Sequence, residues 1–259
     1  MFAQVESIVR KRECMQETIR DISINWITGD IRILQSENEE IVIIQSAGTR
    51  FPESKLFQFN VNNGELTITD GRKQKINIGF NVHKTDLEIH LPKKKFNAMN
   101  IESVGSHLSI HHVDVNRCRC NITSGKAKLS GKMIELDIHA TACHISGDNL
   151  EIEKLNIHTT SSPVNLSGEF LEFNAHSTGR SVVVRSSTML QRIQSISTAA
   201  NVTVSIPENE GFRFQFKKVS GNFKSDFPLS SDGESYSYKN GLSQFNAEVR
   251  GGKFTLERV

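Results

Sequence analysis

Seven of the chain's nine histidines, His107, His111, His112, His139, His144, His158 and His176, fall between residues 107 and 176. His139 follows Ile138 and His158 follows Ile157 in equivalent frames, so both imidazoles should face outward, about 5 Å apart if they lie on neighbouring strands. Two imidazoles so placed could take a transition metal. The plainer chemistry is cross-strand stacking on a solvated face, which suits neutral pH because protonated rings repel one another. Asn174 follows Phe173 at what reads as the next equivalent position. The outward set expected to bind is therefore Asn121, His139, His158 and Asn174, with Lys128, His144 and Asn165 as a second set on another face. His139 and His158 are the metal candidates, and no cofactor is expected.

Carboxylates offer a second chemistry. Glu135 and Asp137 share an outward face, Glu172 reads as aligned with Asp137 two repeats on, and Glu151 and Glu153 flank Ile152. Glycan hydrolysis needs such acids to converge, whereas the polar half of any alternating strand places acids on one face without that purpose. Cys118 and Cys120 stand two apart and share a face with Ile122, as small core residues do. A thiolate site completed by Cys143 would lack the usual C-x₂-C pairs. No phosphate-cradling glycine loop and no nucleophile motif occurs. Three N-x-[ST] matches, at Asn121, Asn165 and Asn201, follow from Asn sharing strand positions with Ser and Thr.

The elements that carry these residues are strands. Period-2 alternation dominates, as in Leu66-Thr67-Ile68, Ile76-Asn77-Ile78 and Leu87-Glu88-Ile89, and the one helical pattern lies in roughly the first dozen residues. Six short strands end at Ile110, Leu129, Ile145, Leu166, Val184 and Val204, which is 94 residues over five intervals, or about 19 per repeat. A second series, including Cys120-Asn121-Ile122, Leu136-Asp137-Ile138 and Leu155-Asn156-Ile157, runs half a repeat out of step. Ser/Thr-rich corners follow one series. Ser-Gly phrases with Gly131, Gly147 and Gly168 mark the other. A repeat so short cannot bury its apolar side alone, but stacked coils can. The expected fold is all-β: a single-stranded parallel β-helix with coils of about 19 residues, right-handed by the crossover rule. Residues 1–13 read as an N-terminal extension and 14–259 as one domain, most regular over 99–206. Pro92 and Pro207 mark corners or edges.

Charge narrows the partners. Lys and Arg number 31 and Asp and Glu 29, so the net charge is +2 and no concentrated basic surface for nucleic acid is written. The basic runs Arg72-Lys73-Gln74-Lys75 and Lys93-Lys94-Lys95 read as solvated turns. No run of 18 apolar residues and no apolar leader segment occurs, so no direct membrane span is expected. The chain as given would be cytoplasmic. The alternative is association with the cell envelope through a partner or through an anchor on a longer chain.

"DISINWITGDIRI", "TDLEIHLPKK", the repeated Ser-Gly and Thr-Gly strand phrases, "VSGNFKSDF" and "GGKFTLERV" together resemble the bacterial putative-adhesin β-helix family, from about residue 14 to 259. That resemblance implies a β-helix, frequent links to cell-envelope systems, and no catalytic motif. The expected role is a non-enzymatic binding or scaffolding module with a protein or glycan partner. Two alternatives remain open: a β-helical polysaccharide-processing enzyme, and an assembly protein acting through its solenoid ends. The aromatic-rich C-terminus, from Phe212 to Phe254, could supply a cap or an interface.

Overall fold

The structure, a computed structural model, describes residues 7–72, 85–233 and 235–259. Its strands are β1 (Ser7–Met15), β2 (Asp21–Trp26), β3 (Gly29–Ser36), β4 (Ile41–Gly48), β5 (Gln58–Asn62), β6 (Glu65–Thr69), β7 (Thr85–Pro92), β8 (Lys95–Thr160), β9 (Val164–Thr178), β10 (Val182–Ser186), β11 (Arg192–Ile206), β12 (Gly211–Ser225), β13 (Ser230–Asp232), β14 (Ser235–Lys239) and β15 (Ser243–Arg258). A 66-residue β8 would be roughly 200 Å long if straight. It is instead extended backbone that turns at single left-handed residues. Gly105, Ser124 and Ala142 have φ of 97°, 60° and 54°, and the series continues through Ser161, Gly179 and Ala199. Each turn re-aims the chain in one residue. A non-glycine residue held there costs on the order of 1 kcal/mol, which the pairing on both sides must offset.

The central pairings are parallel. Val164 pairs with Ile145, Val182 with Val164, and Val202 with Val182. The fold is all-β, with a long, mostly parallel sheet whose inward residues form one core. Ile101, Cys120, Ile138, Ile157 and Ala175 are buried along it. Cys118, Cys120 and Cys143 are buried free thiols. The hydrogen bond with Cys120, followed by burial, pushes the Cys118 thiol well above its ordinary value, and burial raises Cys143. Such thiols pack as small apolar groups rather than act as thiolates. The Ser-Gly phrases meet a close approach between coils. A Cβ on Gly131 would fall 2.4 Å from the Val113 carbonyl oxygen, and one on Gly168 2.0 Å from that of Leu150.

Three features depart from the sequence reading. First, from Ser7 onward the expected N-terminal helix is strand β1, antiparallel to β4. Residues 7–13, read as an extension, thus belong to the sheet edge, while residues 1–6 lie outside the described residues. Second, pairing near both ends is partly antiparallel: β4 with β7, β5 with β6, and β14 with β12 and β13. Third, the chain does not stack in order. β2 lies between β6 and β8, β3 between β7 and β8, and β15 between β11 and β12. β2, β3 and β15 are thus tucked one layer in, while β1 stays at the edge. Of the first basic run, Arg72 is not solvated: it is buried, hydrogen-bonded to Asp70 at 2.8 Å and set 5.9 Å from the Trp26 ring. Lys73 and Lys75 of that run, and the Ile76–Ile78 alternation, lie outside the described residues.

The C-terminal aromatics form a cap. Phe212 stacks on Phe245 at 4.8 Å, Phe214 on Phe254 at 5.4 Å, and Tyr238 and Phe227 close over Phe212. Glu208 fastens this end, accepting from Lys239, from the Tyr238 hydroxyl and from Arg258. These partners, Lys239 first, lower the Glu208 pKa from 4.5 to about 2. A carboxylate depressed in the fold stabilises it fully above the unfolded pKa and loses that contribution as pH falls toward the folded one. Between pH 4.5 and 2 the wild type should therefore lose more melting temperature than Glu208→Gln. Melts at pH 7, 4 and 2.5 check this, and parallel slopes for the two proteins would refute it.

Candidate functional site

The outward half of each strand forms rows, because parallel coils in register place like positions one above another. His158 pairs with His176 in the ladder. The His139 and His158 rings stack with centroids 4.7 Å apart at 19°, and His176 meets His158 edge-on at 5.2 Å. Asn156 pairs with Asn174, Asn174 with Gln194, Gln194 with Asn246, and Asn246 with Gln215, a row of five side-chain amides. The Asn174 amide donates to Asn156 Oδ1 at 2.9 Å. Thr160, Thr178 and Thr198 form a third row at the corner.

The first expected set is thus partly reassigned. Asn121, His139 and His158 line one groove, but the next member is His176, and Asn174 belongs to the amide row. Aligning the corners Thr159-Thr160 and Ser177-Thr178 would have found His176; aligning Ile157 with Phe173 instead shifted the frame by two residues. Of the second set, Asn165 pairs with Ser146 and accepts from Arg185 at 2.6 Å. His144 precedes Ile145, the partner of Val164, so it stands two residues away from the Asn165 position. Lys128 is exposed beside Ala127, whose carbonyl accepts from Ser146 at 3.3 Å. The structure therefore does not bring Lys128, His144 and Asn165 together as one row.

The acids are dispersed into ion pairs. Asp137 accepts from Arg119 at 3.3 Å and from Asn156 at 2.6 Å. Glu135 accepts from Lys154 at 2.8 Å and Glu151 from Lys132 at 2.8 Å. Glu172 aligns with Lys154 and Arg192, not with Asp137. The hydrogen bonds to Glu151 and Glu135 raise the Lys132 and Lys154 ammonium pKa values. Surface pairs of this kind add little stability, but they fix side chains; Glu135 and Asp137 both accept from Asn156, and Glu151 lies opposite Glu169 in the ladder.

The imidazole row is the floor of a groove of about 670 Å³, with Glu102 at one end and Asn121, Thr141, Thr178 and Thr198 along it. Burial, then the charges of His139 and His176, hold His158 below the usual histidine pKa, so its neutral form is favoured. Two parallel stacked rings cover each other's faces and direct their nitrogens sideways along the ring planes. A shared metal needs converging lone pairs, and no group of three or more His, Cys, Asp or Glu among the described residues could hold a metal ion. The surface presents imidazoles, hydroxyls and amides in register as hydrogen-bonding groups.

A family profile described as Toastrack DUF4097 matches residues 19–249. Among solved structures, a putative adhesin from Parabacteroides distasonis superposes with a TM-score of 0.59 at 14% identity, covering 99% of this chain and 98% of that one. A putative adhesin from Parabacteroides merdae gives 0.48 at 12% identity, covering 99% and 97%. At such identities the likeness is one of fold. No curated protein matches the chain.

Proposed function

The chain belongs to the Toastrack DUF4097 family, and we propose that it works as a non-enzymatic binding or scaffolding module of adhesin type within a cell-envelope system. In this reading residues 7–259 are one domain, a right-handed β-helix with coils of about 19 residues. The parallel registers, which step 18 to 20 residues from Ile145 to Val164, Val182 and Val202, support that coil. The observation that carries the function is the groove, in which the imidazoles of His139, His158 and His176 stand in register beside the threonine row. Asn121 extends this surface, the amide row containing Asn174 adjoins it, and Lys128, His144 and Asn165 form scattered contacts on another face. Each hydrogen bond to a partner contributes only about 1 kcal/mol net, so affinity comes from repetition along an extended glycan or protein strand. The structural neighbour from Parabacteroides distasonis, a putative adhesin, supports that role. No helix among the described residues is long and apolar enough to cross a membrane; envelope association would run through a partner or an anchor.

The enzyme reading requires acids with perturbed pKa values in a concave site, and here Asp137 and Glu135 are neutralised by Arg119 and Lys154. A panel of immobilised polysaccharides and extended peptides tests the proposal. At least one should retain the protein, with no release of reducing ends or cleaved peptide. Turnover that disappears in Asp137→Asn or Glu172→Gln would overturn it.

A further inference from the structure

The row His139, His158 and His176 has more to it than a polar surface. His139 stacks on His158 and His176 meets His158 edge-on, so the row sets one exposed imidazole on each coil at steps of 4.7 and 5.2 Å. Those steps are on the scale of one sugar residue. Among the described residues neither Lys nor Arg lines the groove; its other polar side chains are hydroxyls, the Asn121 amide and Glu102. It therefore carries no permanent positive charge, unlike a site for phosphate or nucleic acid. It acquires charge only when the imidazoles take up protons, below about pH 6.5 for an unperturbed ring.

Three charged rings within two coil steps repel one another, and a neighbouring anion relieves that repulsion. The anion must itself remain ionised where histidine is protonated, and a carboxylate does so between about pH 4 and 6.5. Hydroxyls and amides along the same groove match the hydroxyl groups of a sugar. Building on the binding-module reading, we infer that this row is a proton-gated seat for a carboxylated glycan running along the stack of coils.

The surrounding charges allow it. Asp137 lies in the neighbouring row, already engaged by Arg119 and Asn156, and it favours the charged form of His158. Beyond His176 the row continues to Ile196 on β11 and Glu248 on β15, and Glu248 is paired with Arg250. Glu102 disfavours an anion at the far end of the groove, which places the carboxylates over His139 to His176. By linkage, a ligand that prefers the charged rings raises their proton affinity, and its own affinity rises as pH falls.

Affinity electrophoresis with polygalacturonate, and with its methyl-esterified form, tests the inference at pH 7.5 and 5.5. The wild type should bind polygalacturonate at least about tenfold more tightly at pH 5.5, and the esterified polymer should show no such gain. The triple variant His139→Gln, His158→Gln, His176→Gln should lose the gain. The triple variant His107→Gln, His111→Gln, His112→Gln, at imidazoles outside the groove, should keep it, which separates the row from general acid-induced positive charge. Equal binding at both pH values, equal binding of both polymers, loss of the gain in both triple variants, or no binding of polygalacturonate at all would overturn the proton-gated seat. The binding-module reading fails separately, on its own panel, by turnover or by retention of nothing.

Discussion

Ile138→Asp should lose several kcal/mol of stability, enough to threaten folding, while His139→Asp, one residue on, should shift the melting temperature by only a few degrees. Ile138 is fully buried in the core, between outward Asp137 and His139. A carboxylate there would be removed from water among apolar side chains with no partner, a burden of several kcal/mol against a total stability of about 5–15. The same carboxylate at 139 stays in water. It gives up the stack with His158 at 4.7 Å, worth about 0.5–1.5 kcal/mol for an aromatic pair, and gains a charge attractive to the remaining imidazoles. Ile138→Val is the graded control and should lose about 0.5–1.5 kcal/mol. Urea melts of the three variants decide the matter. Similar losses for the two Asp variants would show that the assigned in-and-out register is wrong.

That register was legible in the sequence because alternation depends on nearest neighbours alone: whichever coil lies above, Ile138 and His139 must face opposite ways. The corners were legible for a similar reason: the Ser/Thr stretches Thr123-Ser124, Thr141, Thr159-Thr160 and Ser177-Thr178 contain or directly precede the left-handed Ser124, Ala142, Ser161 and Gly179. What lies above what was harder to read. The ladder slips between Gly147 and Leu150, so Gly147 meets Leu166 nineteen residues on, while Leu150 meets Gly168 eighteen on. Alternation alone does not say which apolar residue meets which: matching Ile157 to Phe173 takes a step of 16 where the ladder takes 18 to Ala175. That two-residue shift is how Asn174 came to stand where His176 belongs, and how Glu172 was placed over Asp137 rather than over Lys154. The groove existed in the sequence as histidines in a recurring frame; its third ring depended on a register that only pairing fixes.

The out-of-order layers were illegible for a different reason. β15 uses the same alternation as the central strands, with Phe245, Ala247 and Val249 inward, and nothing in its composition says that it must lie between β11 and β12 rather than beyond them. Strand grammar specifies a face, not a neighbour. The antiparallel β1 was missed because SIVRKRECM has few buried positions to reveal its period. An edge strand with one paired side needs little apolar alternation, and its charges help to blunt the exposed edge.

Removing β15 should therefore be the most damaging change of all. Truncation after Leu242 deletes a strand paired along most of its length with β11 on one side and β12 on the other. It also removes Phe245 and Phe254, the stacking partners of Phe212 and Phe214. β12 would then keep only the short antiparallel contact of Gly211–Gln215 with β14, and β11 would present an open edge and uncovered core. Burying one such Phe is worth about 3–5 kcal/mol, so losing two of them together with a double ladder exceeds what a marginally stable fold can absorb. The truncated chain should bind a hydrophobic dye, aggregate through its free edge, and show no cooperative melt of the C-terminal coils. Because the missing piece is a single contiguous strand flanked by two preformed edges, a synthetic peptide of residues 243–259 supplied during refolding should restore the melt and suppress dye binding. A truncated chain that melts within a few degrees of the full one, without the peptide, would show that β12 can dock on β11 directly and that the inserted layer is dispensable.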